Sequence, residues 1–362
     1  MASVILIENG ADQATVQRAV AELPEASRES LTIVANTMPT GLTSGQTFIS
    51  TATNSLSEAL QQALTRAKSD TVLFIDARMT PSSAVISALA QEINSGNSGF
   101  TYAALESRGE TMTLGEVEAD SIVSLLGSTK SWPLMCVAAK KSVIDACGRL
   151  EGENMTELML KTMIEALAEG EAVTQSSQSL QSASTAAARN MSEISAAATA
   201  RCLHRAIESI NIEELFPHHA WEAHREESAA ASYHTLAAMF IRLGDSESAL
   251  ECLTLGDQFE DSPRSLALKG LIALDRGETL TAVANMVSSL QQYELRKKQN
   301  SNHYVHFAPR DLASINSNLN AGLEALNKRD NSAALEFFAT AVFSFDPFFS
   351  EHGVNALKAA GH

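Results

Sequence analysis

Apolar residues in the first half of the chain fall in blocks that predict an α/β fold. Three short apolar runs, Ser3–Ile7, Leu31–Ala35 and residues 71–75, are fit for strands buried on both faces. Between the second and third runs, residues 54–68 place apolar side chains on one face at helical spacing. Strands that alternate with helices indicate crossover connections. We therefore predict a mostly parallel sheet flanked by helices.

Helix boundaries and weaker strand signals complete this region. Ser55 and Glu58 form a capping box at the start of the helix over residues 54–68. After the strand over residues 71–75, Thr80 as N-cap and Pro81 at the first helical position predict a further helix. Three more apolar runs predict strands, at residues 101–105, 112–117 and 134–139.

The second half has helical spacing, few strand signals and an internal repeat. The motif RLGDSESALECL recurs as DRGETLTAVANM, so that Gly244 corresponds to Gly277, 33 positions later. A third copy, KRDNSAALEFF, has Arg329 at the position of the glycine. Small residues at fixed positions let two helices approach, and large ones fill the gap to the next hairpin. The predicted repeats cover about residues 230–263, 264–296 and 315–348.

These helical motifs resemble tetratricopeptide repeats, which implies an array whose concave surface holds a protein partner. In the first half, the segments SVILIENG, LTIVANT, NSLSEALQQAL, SDTVLFIDARMTP and VAAKKSVIDACGRLEGENMTELML resemble, in this order, the family 2 glycosyltransferases of the GT-A fold. We therefore expect a GT-A-like α/β domain over residues 1–175, a Ser/Ala-rich linker over residues 176–191 and an all-α, tetratricopeptide-like domain over residues 192–362.

The resemblance implies a sugar-nucleotide site at Asn36, Asp76 and Arg78. In the family, an acid after the second strand holds the nucleoside, and a DxD pair binds the diphosphate with a divalent cation such as manganese or magnesium. Here Asn36 stands in place of the acid, and Arg78 replaces the second carboxylate after Asp76. An arginine can bind phosphate directly through a bidentate fork, so binding without a metal stays open. We assign no metal site and no cofactor.

The position of the family's catalytic base falls on Asn154 and Met155, and neither side chain accepts a proton at neutral pH. Glu153 and Glu157 are the nearest carboxylates. We therefore expect no catalytic residue, and interpret the chain as a pseudoenzyme with a scaffold function. Two alternatives stay open. One is a transferase that uses Glu153 or Glu157 as base and acts on a protein held by the repeats; the other is a generic α/β domain in which Asp76 is a capping or turn acid.

Charge and composition exclude some classes of binding partner and indicate a cellular location. The chain has 362 residues, enough for two domains, and 26 Lys and Arg against 43 Asp and Glu give a formal charge of -17. Nucleic acid and anionic membranes are therefore poor partners. The 4 cysteines form no CxxC pair, and no apolar run is long enough to cross a membrane. We predict a cytoplasmic protein without membrane insertion.

Candidate partner-binding residues lie towards the C-terminus. A basic island near Tyr304 contains Arg296, Lys297, Lys298 and Arg310, which suits an acidic partner or a phosphate; the alternative is a helix end with solvated charges. A Phe-rich run ends in Phe348 and Phe349, which could seal the last hairpin or serve a partner or self-association. The clustered histidines, His218, His219, His224, His303 and His306, lack an acid or cysteine at complementary spacing, so they indicate no metal site.

Overall fold

The chain divides into two compact units. The computed structural model describes residues 2–79, 81–107, 110–128, 131–148, 150, 152–181, 189–190, 193–298 and 312–343. The first unit is Met1–Leu215 and the second is Phe216–His362.

The strands of the first unit form two sheets. They are β1 (Ser3–Ile7), β2 (Leu31–Ala35), β3 (Thr47–Ser50), β4 (Thr71–Asp76), β5 (Phe100–Tyr102), β6 (Leu105–Ser107), β7 (Glu110–Met112), β8 (Cys136–Lys140), β9 (Val173–Gln175) and β10 (Leu180–Gln181). The larger sheet has the order β3-β2-β1-β4-β8-β5-β9, and the smaller has the order β10-β6-β7. In the larger sheet only β8 runs antiparallel to its neighbours. The prediction of a mostly parallel α/β sheet is confirmed.

Helices accompany the sheets. They are α1 (Gln13–Glu22), α2 (Glu25–Arg28), α3 (Leu56–Arg66), α4 (Ser83–Asn94), α5 (Ala119–Ser128), α6 (Lys141–Ala146), α7 (Met155–Ala168), α8 (Ala196–Ser209) and α9 (Ile212–Leu215). The predicted capping box of α3 is present, because Ser55 accepts from the Glu58 N–H and Glu58 accepts from the Ser55 N–H.

The register of the sheet brings three strand ends to one edge. Ile7 of β1 lies opposite Val34 of β2 on one side and Asp76 of β4 on the other. These strands are parallel, so the residues that follow β1, β2 and β4 leave the same carboxyl edge, where open α/β sheets bind ligands.

The boundaries of several predicted elements differ in the structure. Ser82, not Thr80, is the N-cap of α4 and accepts from the Val85 N–H at 3.4 Å, so that helix begins two residues after Pro81. Thr80 itself lies outside the described residues. The run at residues 101–105 is divided between β5 and β6, the run at 112–117 contributes only Met112 to β7, and the run at 134–139 begins as β8 at Cys136.

The first unit extends beyond the predicted domain boundary at residue 175. The Ser176 N–H donates to the Tyr102 carbonyl at 2.8 Å, and the Leu180 N–H donates to the Ala104 carbonyl at 2.8 Å. β10 pairs in parallel with β6, and α8 packs against α7. The linker prediction is therefore wrong for residues 176–181, whose backbone completes both sheets; residues 182–188 lie outside the described part.

The described part of the second unit consists of helices joined by turns and short loops. They are α10 (Arg225–Arg242), α11 (Ser246–Asp257), α12 (Pro263–Asp275), α13 (Thr279–Lys298), α14 (Leu312–Asn327) and α15 (Asn331–Phe343). They pack most closely as the pairs α10 with α11, α12 with α13 and α14 with α15. Nowhere in the described residues is a helix both long and apolar enough to cross a bilayer.

The same turn joins the two helices of each pair. Gly244, Gly277 and Arg329 all have positive φ, at 78°, 75° and 60°. In each turn the next residue donates its N–H to the carbonyl five positions earlier: Asp245 to Phe240 at 2.9 Å, Glu278 to Ala273 at 2.8 Å and Asp330 to Ala325 at 2.9 Å. This bond is the signature of a left-handed helix C-cap. The same turn conformation thus occurs in all three copies of the sequence motif, including the third, which has Arg329 in place of glycine.

Glycines set the closest approach within the pairs. A Cβ on Gly270 would lie 3.0 Å from Met286, and one on Gly322 would lie 2.7 Å from Phe338, so both helix pairs meet where a side chain would not fit. Of the predicted partner-binding residues, 296–298 lie in the last turn of α13, and their partner-binding role stays a prediction. Tyr304, Arg310, Phe348 and Phe349 lie outside the described residues.

Replacing Arg329 by glycine should stabilise the second unit. The left-handed φ of this residue costs conformational energy for arginine, whereas glycine adopts it without steric strain. We expect a gain of about 0.5–1 kcal/mol in the free energy of unfolding. The reciprocal change Gly277→Arg should cost about 1–2 kcal/mol, since the space around that position is open and only the backbone opposes it. Urea unfolding followed by circular dichroism measures both free energies; a change of the same sign in both variants would contradict the assignment.

A buried histidine links three helices of the second unit. Nδ1 of His234 in α10 lies 3.1 Å from Oγ of Ser262, and its Nε2 lies 3.4 Å from Oδ1 of Asp257 at the end of α11. Burial lowers the pKa of His234, and the charges of Arg264 and Lys269 act in the same direction, whereas Asp257 opposes them. The net direction is downward, so the imidazole is neutral in the folded protein at neutral pH.

Stability of the second unit should therefore fall in mild acid. A histidine whose pKa is lower in the folded state contributes stability above its unfolded pKa of about 6.5, and that contribution is lost as the pH falls below this value. Urea midpoints measured between neutral pH and about pH 5 should show the loss. The His234→Gln variant should be less stable but lose less on acidification, whereas His218→Gln, on the exposed surface, should follow the parent.

Candidate functional site

Asp76 lies at the carboxyl edge of the larger sheet, where the sequence analysis placed it. The strand β4 ends at this residue, and its side chain is 1% exposed. Its Oδ1 accepts from the Arg78 backbone N–H at 2.9 Å and from Arg78 Nε at 2.9 Å. Its Oδ2 accepts from Arg78 Nη2 at 2.6 Å and from Asn9 Nδ2 at 2.5 Å. All four donors come from the chain itself, so the carboxylate is saturated.

A divalent cation does not fit this site. Hard cations need oxygen ligands that are free to coordinate, and here both carboxylate oxygens of Asp76 bind a guanidinium instead. Arg78, which supplies this guanidinium, has a side chain that is only 25% exposed. The described residues also contain no group of three or more His, Cys, Asp or Glu side chains that could hold a metal ion.

Asn9 connects Asp76 to the N-terminus of α7, a role that sequence reasoning missed. It follows β1 with φ 44°, and Gly10 follows with φ 80°. This left-handed pair turns the Asn9 side chain so that Nδ2 donates to Asp76 while Oδ1 accepts from the Met155 N–H at 3.2 Å. The Asn-Gly pair one residue beyond the end of the first strand is the signal that could have identified it.

Asn36 lies at the same edge but is not brought to Asp76 by any contact among the described side chains. It follows β2, is exposed, and donates its backbone N–H to a carboxylate oxygen of Glu8, which follows β1. The acid expected after the second strand is thus absent, and an acid from the neighbouring strand lies beside the position. Sequence reasoning also missed Glu8.

Glu157, one of the two candidate bases, is held by cations. Its side chain is 0% exposed; Arg201 donates to it through Nε at 2.7 Å and Nη2 at 2.9 Å, and Lys161 Nζ lies 3.1 Å from Oε1. The Glu153 N–H donates to its Oε2 at 2.9 Å. Burial alone would raise the pKa of Glu157, but these bonds and the Lys161 charge outweigh it and lower the pKa. A carboxylate so engaged is a poor proton acceptor.

The remaining residues at the N-terminus of α7 have structural contacts. Asn154 is the N-cap of the helix and accepts from the Glu157 N–H at 2.9 Å. Glu153 is the accessible carboxylate, with a side chain 64% exposed, and lies 3.1 Å from Arg201. Asp76, Asn9 and Met155 therefore form one connected group, while Glu153 and Glu157 belong to a separate ion-pair cluster centred on Arg201.

Comparison with known proteins finds similarity in structure alone. No protein-family model matches the chain, and no curated protein matches it. Solved structures that resemble it include S. aureus TarS, at 14% identity and a TM-score of 0.44 over 81% of this chain and 55% of that one. The chain thus spans about half the length of TarS.

Two further solved structures were compared. Mannosyltransferase PcManGT from Pyrobaculum calidifontis, in complex with GDP-Man and Mn2+, matches at 14% identity and a TM-score of 0.40, over 80% of this chain and 85% of that one. Glucosyl-3-phosphoglycerate synthase from Mycobacterium tuberculosis matches at 16% identity and a TM-score of 0.37, over 57% of this chain and 80% of that one. All three TM-scores lie below 0.5.

Removal of the Arg78 charge should destabilise the first unit, because it leaves the buried Asp76 carboxylate without its counter-charge. We expect Arg78→Met to cost about 2–3 kcal/mol, below the range for fully buried pairs because Arg78 is partly exposed. The double variant Asp76→Asn with Arg78→Met should recover part of that loss. Urea unfolding of the four proteins in this double-mutant cycle measures the coupling; additive effects would contradict the pairing.

Proposed function

We propose that this protein is a non-catalytic interaction protein, a scaffold whose first unit is a GT-A-like domain without transfer chemistry and whose second unit binds a protein partner. The observation that carries the proposal is the saturated carboxylate of Asp76. An acid that receives four hydrogen bonds from Asn9 and Arg78 has no lone pair directed to a cation or a diphosphate. The ion-paired Glu157 supports it, since the site then lacks a base as well.

The surface of the second unit supports a partner-binding role. An open cleft of about 840 Å³ runs along α11 and reaches Arg276 beyond α12. Leu250 and Leu255 give the α11 face apolar contacts, and Glu247 and Glu251 flank them with negative charge. A partner segment that carries apolar and basic side chains on one face fits this chemistry. The tetratricopeptide-like character of the helix pairs, inferred from their shared turns and close glycine contacts, is part of the proposal.

A second candidate function is a metal-independent sugar-nucleotide transferase that acts on a protein acceptor. Two observations favour it. Glu8 supplies a carboxylate beside Asn36, where the resemblance expects an acid for the nucleoside, and Arg78 is partly exposed next to that edge. In this mechanism the guanidinium of Arg78 leaves Asp76 and binds the diphosphate of the sugar nucleotide. The exposed carboxylate of Glu153 is the base that accepts the proton of the acceptor.

Calorimetric titration with uridine and guanosine diphosphate sugars, with and without manganese, distinguishes the two functions. The scaffold proposal expects no binding under either condition, and metal-dependent binding in the micromolar range would contradict it. Binding that needs no metal and is lost in Arg78→Met would favour the transferase. Arg78→Asp is the matched comparison: it removes the guanidinium and restores two carboxylates, so manganese binding by this variant alone would identify Arg78 as the residue that excludes the cation.

Partner binding is tested by chemical crosslinking in an extract of the source cells, read by mass spectrometry. The proposal expects crosslinks to one partner to cluster on α10–α13, to weaken in Leu255→Lys, and to persist in Asp76→Asn. Crosslinks confined to residues of the first unit would contradict it. Lys269 on α12 is a native attachment point within α10–α13, and the exposed Lys68 is one in the first unit.

A further inference from the structure

A half-enclosed cleft in the first unit is lined mainly by basic side chains, although the chain is acidic overall. It has a volume of about 250 Å³ and lies beside α7 and α8. Lys161, Arg201, His204 and Arg205 line it together with Glu208 and the apolar Leu150. Three cations and one carboxylate thus line the cleft, in a protein whose formal charge is -17.

The carboxylates that neutralise these cations lie mostly outside the lining. Glu157 is 0% exposed and holds Arg201 side-on through Nε and Nη2, which leaves Nη1 outside that pair. Glu165 is buried in the same way and binds Arg205 through Nε. The exposed Glu153 lies 3.1 Å from Nη2 of Arg201. The buried acids thus fix the two guanidinium groups in place and hold them one helical turn apart on α8.

Two contacts of Arg205 in the cleft are long. Nη1 of Arg205 lies 3.9 Å from Glu208, which is 66% exposed, and its Nη2 donates to the Cys147 carbonyl at a long 3.5 Å. Burial and the charge of Glu165 raise the pKa of the Cys147 thiol to about 12, so this thiol adds no negative charge. A phosphate that binds Nη1 and Nη2 of Arg205 therefore replaces the two long contacts of these atoms.

We propose that this cleft is a binding site for a phosphate group, either inorganic phosphate or the phosphate of a small organic monoester. Arg201 and Arg205 supply fixed guanidinium donors, which suit a phosphate oxygen pair, and Lys161 adds charge. Leu150 gives the cleft an apolar wall against which the organic part of a monoester can pack. The site is independent of the carboxyl edge at Asp76, so it does not depend on the function proposed above.

The experiment titrates the full-length protein with inorganic phosphate and, separately, with glycerol 2-phosphate, at constant ionic strength and neutral pH. Calorimetry gives the dissociation constant, and phosphorus NMR gives an independent reading. Lys161→Gln should weaken binding about two- to fivefold and Glu208→Gln should tighten it by a similar factor, because each changes one partly screened charge in the lining. Glu214→Gln is the matched control, since Glu214 lies on α9 outside the lining and the net charge changes equally.

The three variants avoid Arg201 and Arg205, whose loss would leave a buried glutamate without its counter-charge. Thermal unfolding of each variant confirms that it is folded. Opposite shifts for Lys161→Gln and Glu208→Gln, with no shift for Glu214→Gln, are the expected result. If glycerol 2-phosphate binds more tightly than inorganic phosphate, the natural ligand is an organic phosphate. If the two bind equally, the natural ligand is free phosphate. No saturable binding of either, or binding that responds equally to both glutamate changes, overturns the proposal.

Discussion

The ion pair between Asp76 and Arg78 is the constraint on which the carboxyl edge of the sheet depends. A carboxylate at the end of a buried strand has to be compensated, and the chain does so from only two residues away. The Arg78 backbone N–H donates to the same carboxylate. Arg78 therefore both closes the turn after β4 and compensates the charge of Asp76. Asn9 then ties this turn to α7. Asp76 thus holds the turn after β4 together, and its four hydrogen bonds occupy both of its carboxylate oxygens.

Pairing of buried acids recurs between α7 and α8 and explains where the first unit ends. Glu157 and Glu165, two turns apart on α7, face Arg201 and Arg205 on α8. Each arginine compensates an acid that the unit has already buried, so α8 belongs to the α/β unit despite its position beyond the sheets. The same two arginines also line the neighbouring cleft, so the buried glutamates hold part of its basic lining in place.

Features encoded by neighbouring residues could be predicted from the sequence. The apolar runs of β1, β2 and β4, the capping box of α3 and the recurring turns of the second unit are all local patterns. The contacts of Asn9 with Met155 and of Glu157 with Arg201 could not be predicted, because 146 and 44 positions separate the partners. β10 was missed for a related reason: two residues carry no periodicity, and only its pairing with β6 defines it.

The return of the chain through β10 has a consequence for dissection of the protein into parts. A cut at residue 175, where composition suggests a domain border, would strip β6 of a neighbour and remove the arginines that balance two interior glutamates. The fragment left behind would carry uncompensated charge in its core and an open sheet edge, both of which favour aggregation. An autonomous first half has to include everything up to Leu215. The border between the two halves thus lies beyond the arginines that compensate the interior glutamates, and not within the Ser/Ala-rich stretch.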